Sequence, residues 1–375
     1  MTAGERSGPR PARRAADGTE PPAAGGPNGT AETAARSEIL FVGDTASDTY
    51  VTLDERGTRL IGDGRDVLLA VPFGAKVPYE STVTIEAGGN AANAAVACAR
   101  LGLHVALATY VGADQLGRDV VAALQRERVD TSLVVLDRGA PTNRHFVLRL
   151  GDERTILVHH ERYAYHWPHL RPSEIPQWLY LSSVGSDAAA YEDQIVDWLD
   201  ENPSVSLAFQ PGTYQIARGA RRLERLYRRA ALLVCNREEA AAIGGGDPAD
   251  DVADLLDRLH ALGAGAVVVT DASAGAFGSD RTGRYEVPIY PDADAVVDRT
   301  GAGDAFAATV LAHLALGHSL SEALLRAPVN AMSVVHDIGT QAGLLGRDEI
   351  AEILDRAPAG FAVRPLRHEQ RAARA

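Results

Sequence analysis

The run VVDRTGAGDAFAATVLAHLALG, residues 296–317, joins a turn of small residues to a strongly apolar stretch of helical length. Gly301, Ala302 and Gly303 leave room for backbone N–H groups to crowd around an anion, and the partial positive charge of a helix start adds to that attraction. A carboxylate, Asp304, falls in the first turn. On these residues alone two roles are open to it. Asp is favoured as an N-cap, worth about 1 kcal/mol. A carboxylate beside an anion nest is also how a phosphoryl-transfer site places the base that takes a hydroxyl proton. The Gly-Lys-[Ser/Thr] ending of a Walker A loop is missing. No G-x-G-x-x-G follows the first strand either, which argues against a dinucleotide-binding oxidoreductase.

A second segment with chemical potential is AGGNAANAAVACARLG, residues 87–102. Gly88 and Gly89 permit close backbone approach, and the amides of Asn90 and Asn93 both donate to and accept from hydroxyls. A Gly-Gly turn followed by an Asn cap is the plainer account of the same residues. Asp44 and Asp48 follow the apolar run SEILFVG, where a carboxylate accepting two hydroxyl hydrogen bonds makes a polyol anchor; for Asp44 a turn-capping role fits equally. Glu238 and Glu239, after ALLVCN, suit the positive end of a helix. His159 and His160 are neighbours on a strand-like segment, so their side chains point to opposite faces and do not share a metal. No H-E-x-x-H or other metal-ligand spacing occurs.

These groups need elements to hold them, and the chain supplies two kinds. Residues 49–87 and the pair NRHFVLRL and RTILVHH around residues 151–153 alternate apolar and polar side chains, the period of half-buried antiparallel strands. Elsewhere continuous apolar runs such as VALATYVG, QWLYLSSVG, ALLVCN and AVVVTD alternate with amphipathic segments. That pattern predicts a parallel sheet covered by helices on both faces, with ligands beyond the carboxyl ends of its strands.

The run Asp298-Arg-Thr-Gly-Ala-Gly-Asp304 resembles the C-terminal signature of the ribokinase-like (phosphofructokinase B type) carbohydrate and nucleoside kinases, and residues 87–102 are similar to their N-terminal signature. The resemblance covers roughly residues 37–360. It implies a three-layer α/β/α sandwich with a mostly parallel central sheet and a small β-sheet lid, the lid drawn from about 49–87 and 141–165 of a kinase domain at 38–360. Asp304 then falls on the catalytic base, and Gly301, Ala302 and Gly303 on the anion hole. Asp48, Gly88, Gly89 and Asn93 fall on the acceptor site. Asn236 and Glu239 match an Asn-x-x-Glu motif that organises Mg²⁺ through water, while Thr270, Gly275 and Asn330 fall along the nucleotide. Asp298 matches a position tied to a monovalent cation such as K⁺. Arg299 departs from the usual Thr or Ser and faces either a phosphate or solvent.

The implied reaction is transfer of the γ-phosphate of ATP to a hydroxymethyl group of a sugar or small polyol. A nucleoside acceptor is the alternative within the family, with Tyr163, Tyr165 and Trp167 available to stack on a base. A phosphorylated sugar needs a basic lid, for which Arg144, Arg149, Arg154 and Arg162 are available. A non-catalytic sugar- or nucleotide-binding protein on the same fold has no need of both the Gly-Ala-Gly-Asp and Asn-x-x-Glu elements. The lid's open strands further imply a homodimer.

Composition sets the outer limits. The 375 residues carry a net charge of −13, which disfavours binding to bulk nucleic acid. No apolar run approaches the roughly 18 residues of a membrane span. Cys98 and Cys235 sit in apolar runs and read as buried small side chains, in keeping with a reducing, cytoplasmic setting. Residues 1–37 lack the apolar core of a secretory signal and read as a disordered tail; residues 361–375 read as a second tail.

Overall fold

The structure, a computed structural model, describes residues 37–63, 67–151, 153–292 and 294–366. The expected N-terminal tail up to residue 36 and the end of the chain from residue 367 lie outside the described residues. β1 (Ile39–Val42) is followed at once by β2 (Ala46–Leu53), and a hairpin of β3 (Arg59–Ile61) and β4 (Leu68–Ala70) leads to the long β5 (Tyr79–Gly88). Alternation begins with α1 (Asn90–Arg100), β6 (Val105–Gly112), α2 (Gln115–Arg126) and β7 (Val134–Asp137). The β8 (Arg144–Leu150) and β9 (Glu153–Leu157) hairpin interrupts it. It resumes with β10 (Trp178–Leu181), α3 (Ala189–Glu201), β11 (Ser206–Phe209), α4 (Thr213–Arg218), α5 (Glu224–Arg229) and β12 (Ala230–Asn236). Then come α6 (Arg237–Gly244), α7 (Val252–Ala261), β13 (Ala266–Thr270), β14 (Ala276–Asp280) and β15 (Gly283–Val287). The chain closes with α8 (Ala302–Ala315), α9 (Leu320–Val334), α10 (Arg347–Asp355) and β16 (Arg364–Pro365).

Ten strands form the central sheet in the order β16-β15-β14-β13-β12-β11-β10-β1-β6-β7. It is parallel from β13 to β7, and the β14–β16 end is antiparallel. Burial on both faces follows from the strand period: Ile39 and Phe41 of β1 join one apolar core, with α1, α8 and α9, while Leu40 and Val42 join the other, with α3, α5, α6 and α7. The result is a three-layer α/β/α sandwich. A separate four-stranded sheet, β5-β2-β8-β9, takes its strands from the two segments with alternating polarity.

The C-terminal boundary expected at residue 360 moves outward. Phe361 is buried, with its ring 4.9 Å from that of Tyr290, and β16 pairs with β15. Both cysteines are buried and free, as expected. Among the described residues, no helix is long and apolar enough to cross a membrane.

Strand order reverses at β1, which has β10 on one side and β6 on the other. A crevice is expected beyond the carboxyl ends of strands at such a point.

Candidate active site

That crevice is a cleft of about 620 Å³. Residues just past five parallel strands line it: Asp44 after β1, Ser183 after β10, Gln210 after β11, Asn236 at the end of β12 and Thr270 at the end of β13. The four-stranded sheet forms its other wall through Asp48, His145, Val147, Arg154 and Ile156.

Two helix starts meet at its floor. α1 buries a row of alanines from Ala91 to Ala97, so it can lie close against α8, and Cys98 Sγ reaches the carbonyl of Ala308 at 3.4 Å. One turn or more towards the N-terminus of both helices, Asn93 Nδ2 donates to Asp304 Oδ2 at 2.8 Å. The contacts advance in the same direction along both helices, so the two run parallel and their positive ends converge on one point. Residues separated by more than two hundred positions in sequence are thereby side by side.

The turn before α8 is built on Gly301. Its φ of +87° is left-handed, and a Cβ there would come within 2.8 Å of Thr340 Cα, so only glycine fits. Gly301 is the N-cap residue, which makes Asp304 the third residue of the helix and not its cap. A Cβ on Gly303 would meet nothing within 4 Å, so this side of the turn is open to the cleft. The first N–H groups of α8 have no intrahelical acceptor, as at every helix start.

Asp304 is buried, and its carboxylate accepts three side-chain amides. Oδ1 takes Asn90 Nδ2 at 3.0 Å and Gln210 Nε2 at 3.3 Å, and Oδ2 takes Asn93 Nδ2. Asn93 is itself held, since its Oδ1 accepts from Thr340 Oγ1 at 2.7 Å and Gln341 Nε2 at 3.0 Å. Burial pushes the Asp304 carboxyl up to about 6; the amides pull the other way, and Glu239 adds a smaller upward push. The carboxyl is therefore a stronger base than an exposed aspartate and still ionised at neutral pH.

At the other end of the cleft stand Asp44 and Asp48, both buried and each faced by a histidine. The parallel register of β2 and β8 sets Asp48 beside His145, whose Nδ1 lies 3.1 Å from Asp48 Oδ1. His160 Nδ1 lies 3.4 Å from Asp44 Oδ2, and the Tyr165 hydroxyl donates to Asp44 at 2.8 Å. The opposite-face expectation for the adjacent histidines holds: the His159 side chain is 72% exposed, that of His160 only 16%. Gly88 does not line the cleft. It makes room for Asp48, whose Oδ2 would lie 2.0 Å from a Cβ at that position. Gly89 lines the cleft at a φ of +99°.

Two expectations about aromatic and basic groups need correcting. Tyr163 and Trp167 are buried, and with Tyr165 they belong to a cluster with Tyr110, Tyr191 and Trp198 outside the cleft; Tyr214 is the aromatic ring that lines it. Of the four arginines proposed for a basic lid, Arg154 alone lines the cleft. Arg149 donates to the carbonyl of Val297, Arg144 lies over the Phe146 ring, and Arg162 is exposed outside the lining.

On the nucleotide side, Asn236, Glu239 and Thr270 line the cleft. Asn236 and Glu239 form a reciprocal capping box at the start of α6, with Asn236 Oδ1 accepting Glu239 N at 2.8 Å and Glu239 Oε2 accepting Asn236 N at 2.9 Å. Burial raises the Glu239 carboxyl above its ordinary range. Arg299 is exposed and lines the cleft, so it meets both the ligand space and solvent.

Three expected site residues lie elsewhere. Asn330 is 0% exposed; its amide donates to Thr309 Oγ1 and accepts Leu345 N, tying α9 to α8 and to the loop before α10. Gly275 makes a backbone turn, where a Cβ would meet the Val287 carbonyl at 2.2 Å. Asp298 is 1% exposed and ties two loops, with Oδ1 accepting Thr300 N and Oγ1 and Oδ2 accepting Gly339 N. Conversely, Gln210, His145, His160 and Thr340 line the cleft without having been singled out for it. Gln210 could have been found from its place directly after an apolar strand; Thr340 carries no local signal.

Residues 59–345 match the pfkB family carbohydrate kinase. A protein of Archaeoglobus fulgidus described as an uncharacterised sugar kinase is 28% identical over 253 residues, covering 65% of this chain and 96% of that protein. A fructokinase of Klebsiella pneumoniae is 31% identical over 242 residues, covering 61% of this chain and 76% of the relative. Arabidopsis thaliana ribokinase, solved with ribose and ATP, aligns with a TM-score of 0.70 at 21% identity, over 85% of this chain and 99% of that one.

Proposed function

The chain belongs to the pfkB family of carbohydrate kinases, a phosphotransferase with an alcohol group as acceptor, and from that membership we propose that it transfers the γ-phosphate of ATP to a hydroxymethyl group of a sugar or related small polyol. The observation that carries this reading is the buried Asp304 carboxylate facing the same cleft as the Gly301–Gly303 turn and the Gly89–Asn93 helix start. The acceptor hydroxyl lies against Asp304, which takes its proton as the oxygen attacks phosphorus. The backbone N–H groups of residues 301–303 meet the charge on the transferring group. Asp48 anchors the acceptor's other hydroxyls.

A sugar suits this cleft better than a nucleoside, because Tyr163, Tyr165 and Trp167 are packed into their own cluster and Tyr214 is left as the tyrosine on its lining. Mg²⁺ supplies charge neutralisation to the ATP phosphates. Glu239 fits a role in holding it through water, since its Oε2 is fixed by Asn236 and Oε1 accepts no hydrogen bond among the described residues. A monovalent ion beside Asp298 would steady the loop before α8, which Asp298 already holds through Thr300 and Gly339. Phe146 and Leu157, a cross-strand pair exposed on the small sheet, are the apolar face on which a homodimer would form. A cytoplasmic setting, where ATP is supplied, completes the reading.

An ADP-release assay over a panel of sugars, phosphosugars and nucleosides tests it. Turnover highest with an unphosphorylated sugar is expected. Ligand binding without turnover on any acceptor would reduce the protein to a binder.

A further inference from the structure

We infer that Asn90 and Gln210 are positioning residues for Asp304, fixing its Oδ1 so that Oδ2 is left to take the proton of the acceptor hydroxyl. The inference rests on the kinase reading for its purpose, and on the three hydrogen bonds to Asp304 for its geometry. An ionised carboxylate offers about four acceptor directions, two on each oxygen. Asn90 and Gln210 fill the two on Oδ1, and Asn93 fills one on Oδ2. Among the described residues nothing else donates to this carboxylate, so the direction left open is on Oδ2.

The three amides come from two elements with no local connection. Asn90 opens α1, Asn93 lies one turn on, and Gln210 follows β11. The Tyr180 hydroxyl donates to Gln210 Oε1, which turns the Gln210 amide so that its N–H₂ side faces Asp304. Thr340 and Gln341 orient Asn93 in the same way. The chemistry of the clamp also matters. Arg or Lys in these places would hold the carboxylate as firmly but draw down its basicity. Neutral amides orient it and leave its negative charge uncompensated.

Other ionisable groups face this point from several sides. They are Glu239 at the start of α6, Tyr180 on β10, Arg299 before α8, and Asp44, Asp48, His145, Arg154 and His160 across the cleft; Cys235 lines the cleft as well, and Cys98 is buried near Tyr180. Asn90→Ala leaves all of these in place, so a titration change in that variant reports the amide; Gln210→Met also frees the Tyr180 hydroxyl.

In the step served by the clamp, the acceptor O–H bond breaks and its proton passes to Oδ2. The acceptor oxygen forms a bond to the γ-phosphorus of ATP. The bond from that phosphorus to the bridging oxygen breaks, and its electron pair leaves with ADP.

The test is a titration of Asp304 by NMR in protein labelled with ¹³C at the aspartate carboxyls, with Asp304→Asn identifying the signal. Asn90→Ala and Gln210→Met are compared with the parent protein. Loss of one amide should raise the midpoint by about one pH unit, since a hydrogen bond to a charged group is lost. The acid limb of kcat/KM should move upward with it while KM for ATP stays put, whereas a merely structural defect would lower rates without moving the limb. If Gln210→Met fails to fold because the Tyr180 hydroxyl is stranded, Asn90→Ala decides, since Asn90 is half-buried and its side chain hydrogen-bonds to Asp304 alone among the described residues. An unmoved midpoint in folded Asn90→Ala overturns the inference, whatever the turnover. A raised midpoint with no turnover on any acceptor sinks the kinase reading and leaves the clamp standing.

Discussion

Exchanging Asp304 for Asn removes a buried charge, and the stability of the fold should then respond to pH in a direction that can be worked out beforehand. Burial lifts this carboxyl from 3.8 to about 6 in the folded chain. A raised folded value means that its favourable contribution is complete below the unfolded value and is lost as pH rises through the folded one. The gap of about two units corresponds to about 3 kcal/mol at full ionisation, and about 1.5 kcal/mol of that falls between pH 5 and pH 8. The substituted amide's own N–H₂ would face one of the donating amides, a cost that is the same at every pH and cancels in the comparison. Urea unfolding of both proteins at a series of pH values reads the effect as a difference of differences. Relative to the parent, Asp304→Asn should gain about 1.5 kcal/mol of stability between pH 5 and pH 8, nearly all of it by pH 7, where the gain levels off. Curves that run parallel across that range would refute the claim that a buried, ionised carboxylate sits at this position.

Three other substitutions probe the parts around it. Gly301→Ala forces a side chain into a left-handed backbone against Thr340; urea unfolding should show a loss of about 1–3 kcal/mol, with turnover down at least about tenfold. Asp48→Asn should raise KM for the acceptor by about tenfold or more and leave KM for ATP within about twofold, in steady-state assays that vary each substrate in turn. Glu239→Gln should raise the Mg²⁺ concentration needed for half-maximal rate, read from a Mg²⁺ titration at fixed ATP; an unchanged requirement would remove Glu239 from the metal's surroundings.

Much of the architecture is written in local periodicity. Two-residue alternation marked the strands of the small sheet, and apolar runs such as VALATYVG marked the buried parallel strands, because burial on both faces leaves no polar positions. The Gly301–Asp304 turn was legible for a similar reason, since small residues before a helix do something that other residues cannot. The role of Asp304 was not. Cap or base depended on where the helix starts, and that is set by the contact of Gly301 with Thr340, far along the chain. The same holds for the pairing of Asp48 with His145, which arises from the register between β2 and β8. Asn330 and Asp298 show the converse. Both are polar residues in the right neighbourhood, but their hydrogen-bonding groups are taken up by the protein's own loops and helices, and sequence records residue type without burial. Tyr163 and Trp167 misled in the same way, as aromatic groups near the cleft that serve packing.

The most direct measurement is the single-turnover rate of Asp304→Asn with saturating MgATP and the best acceptor from the panel, alongside ATP affinity. A fall of at least about a hundredfold in rate with ATP affinity unchanged is the predicted result. A variant that transfers phosphate at the parental rate would contradict the assignment of Asp304 as the base.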